Sequence, residues 1–463
     1  MATSTKRKLP LVTGKVALAL AVVAALAACG SDKKENNGQL NGEPTTVASV
    51  SAAVIDGGAT QTGLIGLTGA AKCSVDVSSI NYDTLGGAGE YTNATAAVMV
   101  PKGTAAECTG ARPIVLYAHG TTTDKRKNMA NVTTDGEAGL VMTFYAAQGF
   151  IVVAPNYAGY DASALSYHPY LNAEQQSKDM LDALRAAKTV LTKLGGSASS
   201  KLFITGYSQG GHVALATHKA IEQKYSSEFS LTASAPLSGP YSLKNFAALI
   251  FADATKQNIG ATLFTPLVID SFQRSYGNIY AAGNPGEVYN APYTFAAGLF
   301  PSTDPNTAAA RLPAGADLTY RTLFNRGDGQ PYLINDSFRT SAQVPTSGYS
   351  KALALNDLIT NWKPTKPVAL CYGAQDPTVF GFNSTDAQTA FSGSPVARWD
   401  LEDGATLPAG AAALKAAFDA QKANIANAAG GGAAGQGAVL GQYHGGIVPA
   451  YCNALALSFF KSQ

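Results

Sequence analysis

Short apolar, β-branched runs alternate with stretches of helical period through most of the chain, and this rhythm sets the first expectation. Strands are predicted at Ala96–Val100, Pro113–Ala118, Phe150–Ala154, Lys201–Thr205, Leu231–Pro236, Pro367–Tyr372 and Val396–Leu401. Most are apolar at nearly every position, as strands covered on both faces require. Between them, Gln175–Leu194 places Met180, Leu184, Ala187 and Leu191 on one helical stripe with charges opposite, and Gly211–Lys224 follows the fourth strand in a similar way. Strand then helix, repeated, predicts an α/β fold: a mostly parallel sheet with helices on both faces. Two regions break the pattern. Residues 241–361 are rich in aromatics (Phe246, Phe251, Phe264 and Phe272 among them) and long enough to form a subdomain over one end of the sheet. Ala428–Gly441 is glycine-rich and reads as a flexible loop.

Composition narrows the class of protein. Of 463 residues, 46% are hydrophobic and 14% charged, enough apolar material for a large core, which excludes disorder, collagen-like repeats and coiled coil. Lys and Arg number 33 against 31 Asp and Glu. The first 28 residues hold Lys6, Arg7, Lys8 and Lys15 and no acid, so the remainder carries a formal charge of −2. A surface so close to neutral exerts no long-range pull on polyanions, and nucleic acid is not expected as a partner. The low charged fraction and 47 glycines suit a secreted or envelope enzyme.

The amino-terminal segment has the parts of an export signal. Lys6-Arg7-Lys8 precede an unbroken apolar run of 13 residues, Val16–Ala28, too short to span a bilayer and of the right length for a secretory core. Leu26-Ala27-Ala28-Cys29 resembles the processing box of bacterial lipoproteins, in which cleavage precedes a lipid-modified cysteine. That resemblance implies lipidation at Cys29, and Gly30 in place of an aspartate favours the outer membrane. Residues 29–60 are polar, small and aperiodic, and are expected to be a flexible tether. Cys73, Cys108, Cys371 and Cys452 remain, an even number suited to an oxidising compartment, with three possible pairings. The pairing favoured is Cys73 with Cys108, close in the chain, and Cys371 with Cys452, which would join two segments that the chemistry below brings together.

Candidate chemistry begins at Gly206-Tyr207-Ser208-Gln209-Gly210-Gly211, directly after a predicted strand and before a helical stretch. In that context G-x-S-x-G describes a sharp turn that exposes a serine hydroxyl, with glycines where side chains would collide with backbone. Attack by Ser208 on an acyl carbonyl needs amide donors for the oxyanion. The expected pair is the backbone N–H of Gln209 and that of Thr121, in His119-Gly120-Thr121 after an earlier strand, with His119 bonding the loop. A serine also needs a base and the base a carboxylate. Of five histidines, His119 and His168 precede Ser208, while His212 and His218 lie on the helix behind it; His444, far downstream, is the expected base. Asp376, where the strand Pro367–Tyr372 opens into a loop, is the expected acid, with Asp386, Asp400 and Asp403 as rivals. No zinc-type spacing and no phosphate loop is found, so neither metal nor cofactor is expected.

The stretches YAHGTTT, GFIVVAPNYAGYD, DMLDALRAAK, GYSQGGHVAL, CYGAQDPTVF and YHGGIVPAY, spanning most of 90–240 and 365–460, make the chain resemble an α/β-hydrolase of the secretory lipase and esterase branch. The resemblance implies a carboxylic ester hydrolase acting through a Ser-Asp-His triad on lipid, other acyl or polyester esters. It divides the chain into a signal peptide (1–28), a tether (29–60), a core in two parts (61–240 and 362–463) and a lid or cap insertion (241–361). One departure stands out: a helix at Ala409–Ala428 and the glycine-rich segment separate the last strand from His444, which means either an inserted helix or a misplaced strand. Competing readings are a serine peptidase of the prolyl type, an acyltransferase, and a binding protein on a decayed hydrolase fold. The insertion lacks the acidic cluster with which such peptidases hold an amino terminus, and a decayed site would not keep every member of the triad.

Overall fold

The computed structural model describes residues 1–3, 37–252, 258–313, 323–324 and 331–463. Residues 4–36, which hold Cys29 and nearly all of the expected signal segment, lie outside them. Among those described, nine strands form one sheet: β1 (Thr45–Val50), β2 (Ser74–Leu85), β3 (Tyr91–Lys102), β4 (Arg112–Ala118), β5 (Ile151–Pro155), β6 (Ala198–Tyr207), β7 (Ala233–Leu237), β8 (Val368–Tyr372) and β9 (Val396–Asp400). Their order is β1-β2-β3-β5-β4-β6-β7-β8-β9, antiparallel as far as β5 and parallel from there on.

The parallel strands are apolar throughout because each face meets a separate core. Ile114, Leu116 and Ala118 of β4 pack with Met180, Leu181 and Leu184 of the helix Ala173–Val190. The alternate residues Val115 and Tyr117 pack on the other side with Val141, Phe144 and Leu455. Parallel strands also send all their carboxyl ends to one edge, so the loops holding His119, Ser208 and Asp376 gather there.

All seven predicted strands are present, but the tether is corrected in part. Residues 37–60 are built into the fold: Gly38 and Asn41 bond to the backbone of β2, β1 pairs with β2, and Ile55 and Ala59 of the helix Ala52–Gln61 are buried. This edge strand is held by backbone hydrogen bonds while its side chains stay largely in solvent, which is why no apolar run marks it. β2 was also absent from the expectation, since its sequence SVDVSSINYDTL mixes polar and apolar residues.

The glycine-rich segment is likewise corrected. Gly432–Gln442 is a helix, packed against the helix Ala412–Ala428. The pair approaches so closely that a Cβ at Gly435 would lie 2.7 Å from the Ala426 carbonyl oxygen. The last strand is therefore correctly placed at β9, and the extra length before His444 is an inserted helical hairpin.

Between β7 and β8, the helices Leu243–Ala252, Ala261–Tyr276 and Gly348–Leu355 enclose an apolar cluster of their own, with Phe251, Ile269, Phe272, Tyr289, Phe338 and Tyr349. Disulfides join Cys73 to Cys108 and Cys371 to Cys452. The second ties β8 to the carboxyl-terminal helix Val448–Ser462.

Candidate active site

β6 ends at Tyr207 and the next helix begins at Gln209, so Ser208 alone makes the turn, at φ 60° and ψ −120°. A non-glycine residue in that conformation is strained, and it persists only where its surroundings over-determine it. Here they do. A Cβ at Gly206 or Gly210 would overlap the Ala118 carbonyl oxygen, and one at Gly211 would overlap that of Leu237.

Three side chains from distant segments meet at this turn. His444 Nε2 lies 2.8 Å from Ser208 Oγ, and His444 Nδ1 lies 2.6 Å from Asp376 Oδ2. An ionised carboxylate only accepts, so the ring proton sits on Nδ1 and Nε2 is left to accept from the serine. The Asp376 side chain is buried, and its Oδ1 accepts from the amides of Thr378 (2.8 Å) and Val379 (3.0 Å), which fixes its orientation. His444 sits in one π-helical turn, Tyr443–Ile447, between two α-helices. Tyr207 Oη donates to the His444 carbonyl at 2.6 Å, a contact not anticipated from the sequence.

The rival residues are engaged elsewhere. Asp386 accepts from Ser242 and Asn245, Asp400 from the Ala374 and Glu402 amides, and Asp403 caps a short turn at Ala405. His212 contacts the Asn356 carbonyl, His218 lies between Ser234 and Glu222, and His168 faces Gln209. His119 is buried, its ring nitrogens 2.7 Å from the Gly120 carbonyl and 3.2 Å from that of Asn156.

The loop after β4 is held by a partly buried acid that sequence reasoning missed. Glu137 Oε1 accepts from the Gly120 amide (2.8 Å) and from Tyr117 Oη (3.0 Å), while Lys127 Nζ donates to Oε2 (3.1 Å). Burial alone would raise the Glu137 pKa, but the adjacent Lys127 ammonium and the Gly120 amide help hold it below the ordinary value. The Gly120 amide is occupied, whereas the amides of Thr121 and Gln209 give their hydrogens to no other described residue. No sequence signal marks Glu137, because the ion pair exists only once Lys127 folds beside it.

Two cavities share Ser208 in their walls. One is apolar and runs beneath the insertion, past Leu243, Phe246, Ile250, Phe264 and Val268. The other is more polar and is lined by Thr121, Glu137, Tyr207, His444 and Asn453. The insertion's aromatics therefore divide between its own core and the cavity wall. Among the described residues, no three His, Cys, Asp or Glu side chains gather as the ligands of a metal would.

Strand order, helical layers and the sharp turn at the carboxyl edge define an α/β-hydrolase. The secretory lipase family matches residues 124–277. The rice cell wall degrading esterase LipA from Xanthomonas oryzae is similar at 30% identity and a TM-score of 0.66, over 79% of this chain and 91% of that one. A putative hydrolase from Legionella pneumophila (20% identity, TM-score 0.67, 78% and 91% covered) and Candida antarctica lipase A (14%, 0.54, 78% and 76%) share the fold. No curated protein sequence matches the chain. The chain belongs to the secretory lipase family and is a carboxylic ester hydrolase. That family and the two disulfides fit a secreted protein.

Proposed function

We propose that this esterase works through an acyl-enzyme on Ser208, with His444 as general base and acid, Asp376 as its orienting carboxylate, and the Gln209 and Thr121 amides as the oxyanion site. The observation that carries the reading is the continuous hydrogen-bond chain from Ser208 through His444 to Asp376, at 2.8 and 2.6 Å. His444 Nε2 takes the hydroxyl proton as Ser208 Oγ attacks the ester carbonyl. The two amides receive the oxyanion, each contributing about 2.7–4 kcal/mol by analogy with measured donors. Collapse breaks the acyl C–O bond, and the alcohol leaves with the proton from His444. Water, deprotonated by the same imidazole, then releases the acid and restores Ser208.

The proposed placement of the substrate rests on where the proton is given back. His444 lines the polar cavity and not the apolar one, so the departing alcohol occupies the polar side. The acyl group then lies in the apolar cavity under the insertion, as suits lipid or other acyl esters, or oligomeric polyester. Because LipA is named for degrading cell wall, polymer-linked esters belong in the substrate panel. A lipid anchor at Cys29, favouring the outer membrane, is part of the same reading.

Ser208→Ala should abolish both p-nitrophenyl ester hydrolysis and labelling by a fluorophosphonate probe, while the wild type leaves an aminoacyl-naphthylamide uncut. Labelling that persists in the variant would refute the assignment, and amide cleavage without ester cleavage would point to a peptidase.

A further inference from the structure

Residues 156–172 link β5 to the helix Ala173–Val190, and this loop braces both halves of the oxyanion site proposed above. On the Thr121 side, Tyr157 Oη donates to the His119 carbonyl at 3.0 Å and its ring stacks on the His119 imidazole. Tyr160 Oη donates to the Thr122 carbonyl at 2.7 Å, and Tyr170 Oη shares a hydrogen bond with Thr121 Oγ1 at 2.9 Å. On the other side stands His168, buried between the rings of Tyr157 and Tyr160. Its Nδ1–H donates to the Ala158 carbonyl at 2.9 Å, an oxygen that can only accept, so Nε2 must be the acceptor. Gln209 Nε2 donates to that nitrogen at 2.6 Å, with Gln176 Nε2 3.3 Å from the same atom.

Two observations set this arrangement apart from ordinary core packing. The side chains of Gln209 and Gln176 converge on the single acceptor nitrogen of His168, and their own oxygens have no hydrogen-bond partner among the described residues. The loop also holds three of the six non-glycine residues with positive φ among those described: Tyr157 (64°), Asp161 (47°) and Leu171 (54°). Backbone strain concentrated in one loop persists only where the surroundings over-determine it, and it clusters at functional sites. Burial pushes the His168 pKa down to about 3, so the ring stays neutral and its acceptor nitrogen stays available at working pH.

We propose that His168 is a positioning residue: its imidazole, as hydrogen-bond acceptor, pins the Gln209 side chain and so aims the Gln209 backbone amide at the oxyanion. This rests on the acyl-enzyme reading. Gln209 is the first residue of its helix, where few intrahelical bonds restrain the peptide plane, and a side chain fixed at its tip limits rotation about the Cα.

The test compares His168→Phe, which keeps a ring between the two tyrosines but no acceptor, with His168→Gln, whose side-chain oxygen reaches about as far as Nε2. Both are measured for kcat and KM on p-nitrophenyl butyrate, for inhibition by a trifluoromethyl ketone that mimics the tetrahedral intermediate, and for Tm. His168→Phe should lower kcat about 10- to 100-fold with KM within about threefold, and weaken the ketone by a similar factor. His168→Gln should recover most of the loss. A kcat for His168→Phe within about twofold of wild type overturns the proposal, as does an unrescued His168→Gln of wild-type Tm, or a loss confined to KM. Should His168→Phe fail to fold, Gln209→Leu removes the same bond from its other end, and wild-type kcat in that variant is equally fatal. Ser208→Ala in the same assays separates the two readings. If it stays active, both fall; if it is silent while His168→Phe matches wild type, only the role of His168 is wrong.

Discussion

At the scale of single residues, Asp376 has the most to do with the least freedom. Its Oδ1 is held by two amides and its Oδ2 faces His444, so an Asn there can keep the loop contacts but presents the imidazole with either an amide donor or a neutral oxygen. Asp376→Asn should therefore fold normally and lose roughly four orders of magnitude in kcat, because the Nδ1–H tautomer is no longer enforced. A loss under tenfold with unchanged Tm would remove Asp376 from the mechanism. Asp179 is a second buried carboxylate, which accepts from Tyr82 Oη (2.7 Å) and the Ala158 amide (2.6 Å), and burial lifts its pKa to about 7. A carboxyl whose folded pKa exceeds its unfolded value binds its proton more tightly when folded. Its contribution to stability is thus full below the ordinary carboxylate range and lost as pH rises through about 7. Asp179→Asn should gain Tm relative to wild type as pH goes from about 4 to 8; parallel curves would contradict it. Ser208, His444 and Asp376 could be picked out because each stands beside glycines or at a strand end, in chemically distinctive sequence. Glu137, Tyr207 and Tyr170 could not, since they act through partners far away in the chain.

At the scale of elements, the two disulfides make a contrast that experiment can use. Cys371–Cys452 ties the strand that leads to Asp376 to the helix that follows His444, whereas Cys73–Cys108 joins segments at the starts of β2 and β4, away from the site. Closing a loop of separation 81 contributes about 4.5 kcal/mol in a chain-entropy account. Cys371→Ser with Cys452→Ser should lower Tm and also lower kcat below the unfolding transition. Cys73→Ser with Cys108→Ser should lower Tm alone. Equal kcat in both double variants would show that the second bridge does not steady the site. The same scale explains which elements were legible. Strands buried on both faces announce themselves as apolar runs, and the amphipathic helix Ala173–Val190 by its stripe. β1 and Gly432–Gln442 carry no such signature: the first is held through backbone bonds to β2, and the second by close contact between small residues.

At the scale of the whole molecule, the insertion covers the carboxyl edge of the sheet at Ser208, and the lipid anchor proposed above would hold this catalytic unit at a membrane. Cys29→Ser should move the protein from the membrane fraction to the soluble one without changing its esterase activity; unchanged fractionation would count against the lipid anchor. From sequence alone came the class of fold, the ester-hydrolase family, and the candidates proposed here as nucleophile, base, acid and oxyanion loop. These are set by local chemistry, since a sharp turn demands glycines, buried strands demand apolar runs, and catalysis demands particular side chains at element ends. Only the tertiary structure decided that residues 37–60 belong to the sheet region, that a helical hairpin precedes His444, and which residues line each cavity at Ser208. Those outcomes depend on contacts between segments remote in the chain, whose free energy appears only when both partners are in place and therefore leaves no mark on either segment alone.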